Sequence, residues 1–432
     1  MRYHSTKSRQ PTVPAGEAIL KGLPDDNGLF VPETLPKFGE GYFWGHKNHS
    51  LADIGFEAMS PFFSPEFPAD VLKNIIEDTL SFPIPLVEVE PDIYSLELFH
   101  GPTLAFKDVG ARFMARSLNY LASQSKRHTV VLVATSGDTG SAVAHGFYEM
   151  DNIDVVILYP SGKVSFLQEK QMTTLGKNIH ALEIDGNFDD CQRMVKEAFL
   201  DKKLNEQLQL TSANSINIAR FLPQSIYYTY ALSQIGFPDN VVVSVPSGNY
   251  GNLTAGLVAH FMGLPVSTFV ASSNVNNIVP NYLSTGNYVP RSSVATISNA
   301  MDVGDPSNFV RIEHLFNREV EKVRSKISGY SYDDEQTKAV ILEVYKKTGY
   351  LMDPHGAVAY LGLKEHLSNR PGHIGIFLET AHPAKFKDTV EEVIKRPLEI
   401  PEALLASKDK KNLSVRAGNQ LSDLKGYLKE FL

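Results

Sequence analysis

In the run HGPTLAFKDVG (100–110), Lys107 directly follows Leu104, Ala105 and Phe106, with the turn-forming pair Gly101-Pro102 just upstream. A surface lysine usually keeps polar company. A lysine held in a partly apolar pocket is desolvated, and desolvation favours the neutral amine. A neutral amine attacks carbonyls and forms a Schiff base, which makes Lys107 a candidate nucleophile. The plainer alternative is that Lys107 opens the exposed face of a helix through KDVGARFMARSLNYLA. Two other segments share one plan. TVVLVATSGDTGSAVAHGFYE, from Thr129, and NVVVSVPSGNYGNLTAGLVAHF, from Asn240, each place Ser-Gly-x-x-Gly behind an apolar, valine-rich run.

Such turns need particular elements around them. Unbroken β-branched runs at 130–133 and 241–245 suit strands buried on both faces of a parallel sheet. An apolar pattern of helical period begins behind each turn. Ser136-Gly137 and Ser247-Gly248 permit sharp turns, and Gly140 and Gly251 let backbone approach a ligand closely. The helix that follows points its free N–H groups and the positive end of its dipole at the loop. A phosphate or carboxylate can be held there without a cationic side chain, and ligands collect at the carboxyl ends of strands in doubly wound sheets. Nucleotide motifs do not fit. A P-loop read on Gly162-Lys163 wants Gly where Ile157 stands and Ser or Thr where Val164 stands. Ser136-Gly137-Asp138 lacks the Gly-x-Gly opening of a dinucleotide loop.

The surrounding chain has 432 residues, enough for two or three domains. Its net charge of -8 argues against generic nucleic-acid binding, which usually needs a basic face. The single cysteine, Cys191, excludes a disulfide framework within the chain and reads as a small buried helix residue. No run of about 18 apolar residues predicts a membrane span, and a cytoplasmic location is expected. Residues 240–290 contain no Asp, Glu, Lys or Arg, as expected of a buried sheet with neutral loops lining a site. Strand-like and helix-like segments alternate through VVILYP, FLQEKQMTTLG, HALEID and FDDCQRMVKEAFL, an α/β pattern with parallel pairing. A long helix is expected over 217–235, bent at Pro223, with further strands at STFVAS and IGIFLE. Pro-broken short helices mark residues 1–90 as a separate N-terminal portion. Residues 91–236 are expected to form a lysine-bearing α/β domain. Residues 237–432 are expected to form a phosphate-loop α/β domain, and the charged tail after Ile400 reads as a solvated helical cap.

Taken in order, LELFHGPTLAFKDVGARFMA, ATSGDTGSAVAHGF, SANSINIARFLPQ, VPSGNYGNLTAGL, SNAMDVGDPSN and ETAHPAKFKD resemble the motifs of the threonine synthase family. The opening STKSRQPTVPAGEAILKGLPDDNGLFVPE resembles that family's N-terminus, so the similarity spans nearly the whole chain. The resemblance implies a pyridoxal 5'-phosphate enzyme of fold type II, with two open, mainly parallel twisted sheets flanked by helices. It implies conversion of O-phospho-L-homoserine and water to L-threonine and phosphate. Lys107 matches the lysine that carries the cofactor. Gly248, Asn249, Tyr250, Gly251 and Asn252 match the loop that cradles the cofactor phosphate, and Thr380 matches the hydroxyl residue near the pyridine nitrogen. Asp138 stands where many relatives carry Asn beside the cofactor's 3′ oxygen, and two ionised oxygens there would repel; the long form of the family reads SGDTG.

The substrate's own anions need partners too. Ser136, Gly137 and Thr139 are candidates for its carboxylate. Ser212, Asn214, Ser215, Asn217 and Arg220 offer short donors and one cation near a helix start for its phosphate, with Lys163 and Lys385 as further cations. The alternative for that stretch is an ordinary polar cap with Arg220 in solvent. His100, His355 and His382 are not spaced as ligands of one metal; the first two read as structural, and His382 takes no assigned role. Asp302 is a candidate for ordering a neighbouring loop. Other fold type II lyases, such as serine or threonine dehydratases and cysteine synthases, share the lysine and the glycine loop, but are not expected to carry the N-terminal portion or HGPTLAFKD. A non-catalytic phosphate-ester-binding relative is the remaining alternative, against which Lys107 and Thr380 argue. Either a monomer or a homodimer is compatible with the sequence.

Overall fold

The computed structural model describes residues 1–39, 49–124 and 128–431. Its strands are β1 Arg2–Ser5, β2 Val13–Pro14, β3 Phe30–Pro32, β4 Leu86–Glu90, β5 Ile93–Glu97, β6 Thr129–Ala134, β7 Ile153–Pro160, β8 Ile179–Ile184, β9 Gln209–Ser212, β10 Val241–Pro246, β11 Val266–Ser273, β12 Ile327–Ser331, β13 Ile374–Glu379 and β14 Val415–Ala417. Among the described residues they form three sheets, in the orders β2-β1-β3, β12-β11-β10-β13-β5-β4 and β14-β8-β7-β6-β9. The larger two are the open, mainly parallel sheets of a fold type II enzyme; the antiparallel β4–β5 pair is the exception in the six-stranded one.

The two valine runs occupy interior positions, as their composition requires. β6 pairs in parallel with β7 and β9, and β10 with β11 and β13. Every residue of both strands is buried. Each leads through its Ser-Gly turn into a helix, Asp138–Phe147 after β6 and Gly251–Phe261 after β10. The charge-free stretch has a physical reason: β10, the inner face of β11 and most of the helix Gly251–Phe261 are out of water, where an unpaired charge is costly. Lys107 opens a third helix, Lys107–Ser123.

Several expectations need correction. The long helix at 217–235 is three pieces: Ile218–Phe221, a 3-10 turn Leu222–Gln224 containing Pro223, and Ser225–Gln234. Proline offers no N–H to continue the ladder, so the bend falls where expected. The N-terminal portion has the helices Leu51–Phe63 and Ala69–Thr79, but also the sheet β2-β1-β3. Its strands, two to four residues long, are too short to show an alternation. The sheets also cross the expected divisions of the chain. β4 and β5 join the sheet of β10, and β14, from the far C-terminus, joins the sheet of β6. The tail is not a solvated cap. Leu424 and Leu428 of its last helix are buried against Cys191, Met194 and Val195 of the helix Phe188–Leu200. Cys191 is a buried helix residue, as read from the sequence.

Candidate active site

Lys107 is placed by a tight segment. Leu104 takes a left-handed conformation at φ 56°, unfavourable for a side chain with a Cβ. Thr103 donates its N–H and its hydroxyl to the Asp108 carboxylate, at 2.9 and 2.6 Å. The segment is stitched to the end of β13: Phe106 N–H donates to Thr380 O at 2.9 Å, and His382 N–H to Leu104 O at 3.1 Å. The Tyr227 hydroxyl donates to Phe106 O. Among the described residues Lys107 Nζ has no hydrogen-bond partner; it lies 5.6 Å from the centre of the Phe106 ring and opens into a cavity. Burial lowers its pKa to about 8, against the opposing pull of Asp138 and with help from the cations Lys385 and Arg220.

The turn 248–251 forms the opposite wall. Tyr250 is left-handed, at φ 62°, and no side chain caps the helix that begins at Gly251, so the helix start is left for a ligand. The Tyr250 hydroxyl is anchored to Ser273 Oγ at 3.0 Å. Asn249 Oδ1 accepts from Ser307 N–H and Oγ, at 3.3 and 3.1 Å, and Asn252 Nδ2 donates to Pro246 O at 2.8 Å. These side chains brace the turn while its backbone lines the cavity. A Cβ on Gly248 would lie 2.6 Å from Ala300 O and 3.0 Å from Met301 Cα, so only glycine lets the segment 299–303 close over the turn. Thr380 lines the same cavity, and its hydroxyl makes no hydrogen bond among the described residues.

In the first glycine loop, Thr135 Oγ1 accepts from Gly137 N–H and Gly140 N–H, at 3.0 and 2.8 Å, which shapes the turn. Ser136 and Thr139 line the cavity, and among the described residues their hydroxyls make no hydrogen bond; Gly137 does not line it. A side chain at Gly137 would run into the Gln168 amide. Asp138 does not line the cavity. Its carboxylate is held 2.6 Å from Lys385 Nζ and accepts from Gln168 Nε2 at 2.7 Å. Burial would raise this carboxyl, but Lys385, Lys107 and the two hydrogen bonds outweigh it and hold the pKa well below the usual carboxylate range. Lys385, expected near the substrate phosphate, is therefore a buried partner of Asp138.

Of the SANSINIAR candidates, Asn214, Ser215 and Arg220 reach the cavity and Ser212 and Asn217 do not. Ser212 Oγ accepts from Asn214 N–H at 3.2 Å. Asn217 caps the helix Ile218–Phe221 through Ala219 N–H at 3.0 Å and donates to Ile19 O at 2.9 Å. Arg220 is not in solvent. It is 2 % exposed, donates Nη1 to Ala213 O, leaves Nε without a partner and makes no salt bridge among the described residues. Burial lowers its pKa to about 10, so it remains a cation. Lys163 is exposed on the turn after β7 and stands outside the cavity.

Other cavity residues are given no place in the site by the sequence: Asn299, Ala300, Met301, Val303, Phe188 and Gln224, and also His355 and Asp302, which read there only as structural and loop-ordering residues. His355, read as structural, has Nδ1 2.5 Å from Asp353 Oδ1 and accepts Ala300 N–H at Nε2 over 3.2 Å, so it tethers the segment that closes on Gly248. Its only sequence signal is the DPHG helix start, where Asp353 caps through His355 N–H and Gly356 N–H. Asp302 accepts from Thr296 and Asn274, and burial raises its pKa to about 6. It orders that loop, as expected, and also lines the cavity. His382 and His100 do not.

A free buried amine, an uncapped helix start behind a glycine turn, and an unengaged hydroxyl opposite fit pyridoxal phosphate. Fold and site together define a pyridoxal-phosphate enzyme of fold type II. Residues 80–376 match the family described as pyridoxal-phosphate dependent enzyme, residues 2–80 the threonine synthase N terminus, and residues 356–427 the threonine synthase C-terminal family. Threonine synthase of Haemophilus influenzae is 46% identical over 99% of this chain and 99% of its own, and that of Escherichia coli 45% over 95% of each. The crystal structure of the Escherichia coli threonine synthase superposes with a TM-score of 0.95 at 43% identity, covering 100% of both chains. The pyridoxal-phosphate-bound threonine synthase of Brucella melitensis gives 0.92 at 35% identity, over 100% of this chain and 99% of the other. The chain belongs to the threonine synthase family.

Proposed function

We propose that this chain converts O-phospho-L-homoserine and water to L-threonine and phosphate. One observation carries the reading: the free Lys107 amine, the glycine turn 248–251 and the uncompensated Arg220 guanidinium open onto a single cavity. Bound pyridoxal phosphate supplies the electron sink that makes the substrate's Cα and Cβ protons removable. Lys107 would hold it, and a free Lys107 Nζ in this cavity would serve as the base for the substrate's Cα proton. A pKa near about 8 leaves usable free amine at neutral pH.

The backbone of Gly248, Asn249, Tyr250, Gly251 and Asn252 would hold the cofactor phosphate at the helix start. Thr380, a neutral hydroxyl lining the same cavity, would be the partner of the pyridine nitrogen and, unlike a carboxylate, would not favour its protonation. Ser136 and Thr139 take the substrate carboxylate. Arg220, with Ser215 and Asn214 beside it, takes the substrate phosphate; a buried cation lacking a carboxylate partner favours such an anion. Phe106, Phe188, Met301 and Val303 limit water in the cavity. Among the described residues no helix is long and apolar enough to cross a membrane.

The test is direct. Protein supplied with pyridoxal phosphate and O-phosphohomoserine is expected to release threonine and inorganic phosphate in equal amounts. A keto acid and ammonia in their place would identify a dehydratase and overturn the reading.

A further inference from the structure

Asp138 and Lys385 are the unusual charges of this site. Both are almost completely buried, at 4 % and 1 % exposure, and their charged atoms are 2.6 Å apart. Lys385 Nζ also donates to Thr103 O at 2.8 Å, and Thr103 clamps Asp108 at the start of the Lys107 helix. One ammonium thus joins the first glycine loop, the lysine segment and the 3-10 turn Pro383–Phe386. An asparagine in place of Asp138 would need no such partner. With the aspartate, burial demands one, because an unpaired buried charge costs several kcal/mol.

The cationic and anionic groups acting on Lys107 Nζ are Asp138, Lys385 and Arg220. Asp108 and Tyr227 lie behind its helix start, and Asp302 and His355 line the same cavity. Asp138 and Lys107 attract one another across the buried first glycine loop, while the Lys385 ammonium, 2.6 Å from Asp138 Oδ1, already holds that carboxylate. An ammonium locked to Asp138 at Lys107 is neither nucleophile nor base.

We propose that Lys385 is a positioning residue: by pairing with Asp138 it keeps that carboxylate from capturing Lys107, so Lys107 stays available as nucleophile and base. The inference rests on Lys107 being the reactive amine. Lys385 touches neither substrate nor cofactor; it acts through Asp138. The two charges are needed together, since each alone would bias Lys107 in the opposite direction.

The experiment titrates the visible absorbance of the cofactor-loaded full chain against pH, comparing Lys385→Met, Asp138→Asn and the double variant. A second measurement follows Lys107 acetylation against pH in the full chain stripped of cofactor, read by mass spectrometry. Lys385→Met is expected to raise the midpoint at Lys107 by about one unit or more, the usual effect of a nearby opposite charge. Asp138→Asn is expected to lower it, because Lys385 remains as an unpaired cation. The double variant, neutral at both positions, is expected within about half a unit of the wild type. Single variants that shift in the same direction, or do not shift, would overturn the proposal, as would a double variant no nearer the wild type than the singles. If one single variant does not fold, the other must still shift in its stated direction and the double variant must return toward the wild type; otherwise the proposal is overturned. A wild-type chain without a visible band would instead sink the assignment of Lys107, and that outcome is separate because the acetylation profile is read without cofactor.

Discussion

Phe106 N–H and the Thr380 carbonyl are 2.9 Å apart and bonded, so the residue before Lys107 and the residue after β13 are held as one unit. The candidate nucleophile and the hydroxyl assigned to the pyridine nitrogen lie far apart in sequence, yet one backbone hydrogen bond fixes their spacing. Lys107 can therefore be altered without loosening its surroundings. Lys107→Ala is expected to abolish turnover and the visible band of bound cofactor while changing the thermal midpoint little, since Nζ makes no hydrogen bond among the described residues. Turnover surviving in that variant would remove Lys107 from its role.

The pH dependence of cofactor capture follows from the same amine. Its pKa in the folded protein is about 8, below the ordinary 10.5 of lysine. The proton is therefore shed earlier on folding, and the fraction of free amine rises as pH rises through about 8. The initial rate of pyridoxal phosphate uptake is expected to climb with pH to a plateau with its midpoint there. A midpoint near 10.5, that of a solvated lysine, would show that Lys107 is not desolvated.

Gly248 tests the cradle. A methyl group there would press on Ala300 O at 2.6 Å and Met301 Cα at 3.0 Å, both backbone. Gly248→Ala is expected to displace the segment 299–303 and weaken cofactor binding at least about tenfold, equivalent to about 1.4 kcal/mol. Equilibrium dialysis against pyridoxal phosphate measures this; unchanged affinity would mean that the segment does not close on the turn in solution.

Arg220 tests the substrate phosphate. A charge-assisted hydrogen bond contributes about 1.5–3 kcal/mol, so Arg220→Met is expected to raise KM for O-phosphohomoserine about 10- to 100-fold while affecting cofactor affinity much less. Equal weakening of both ligands would place the guanidinium at the cofactor rather than the substrate.

Glu90 gives a pH-dependent stability. It accepts from Lys364 at 2.9 Å, Tyr360 at 2.8 Å and Lys347 at 3.0 Å, tying β4 to the helix Pro354–Leu367 that carries His355. Burial opposes ionisation, but these donors outweigh it and lower the pKa from 4.5 to about 2. A depressed carboxyl contributes stability above its unfolded pKa and loses it as pH falls through the folded one. Glu90→Gln is therefore expected to melt lower than the wild type at pH 7, with the gap closing as pH falls from 4.5 toward 2. A gap independent of pH would assign the effect to packing.

Much of this site was legible in the sequence because the relevant physics is local. Valine runs announce strands buried on both faces, Ser-Gly-x-x-Gly announces a turn that opens a helix, and Lys107 behind Leu-Ala-Phe announces a desolvated amine. β6, β10, the three helices at the cavity and the bend at Pro223 follow from such short-range signals. The strands β1 to β3 carried too few residues to show a period, and the tail's charges masked Leu424 and Leu428.

Tertiary structure alone decided which polar groups face the cavity and which are consumed by one another. Asn217 and Arg220 are one turn apart, yet Asn217 is spent on a helix cap and on Ile19, whereas Arg220 is left with an unpartnered Nε. Lys163 and Lys385 look equally available as cations, but one is in water and the other is sealed against Asp138. His355 reaches the cavity only because the helix Pro354–Leu367 brings it under Ala300. Composition and spacing set which groups could bind an anion or carry a cofactor. Burial and pairing between distant segments set which of them remain free to do so, because a charge or donor already satisfied inside the fold gains little from a ligand.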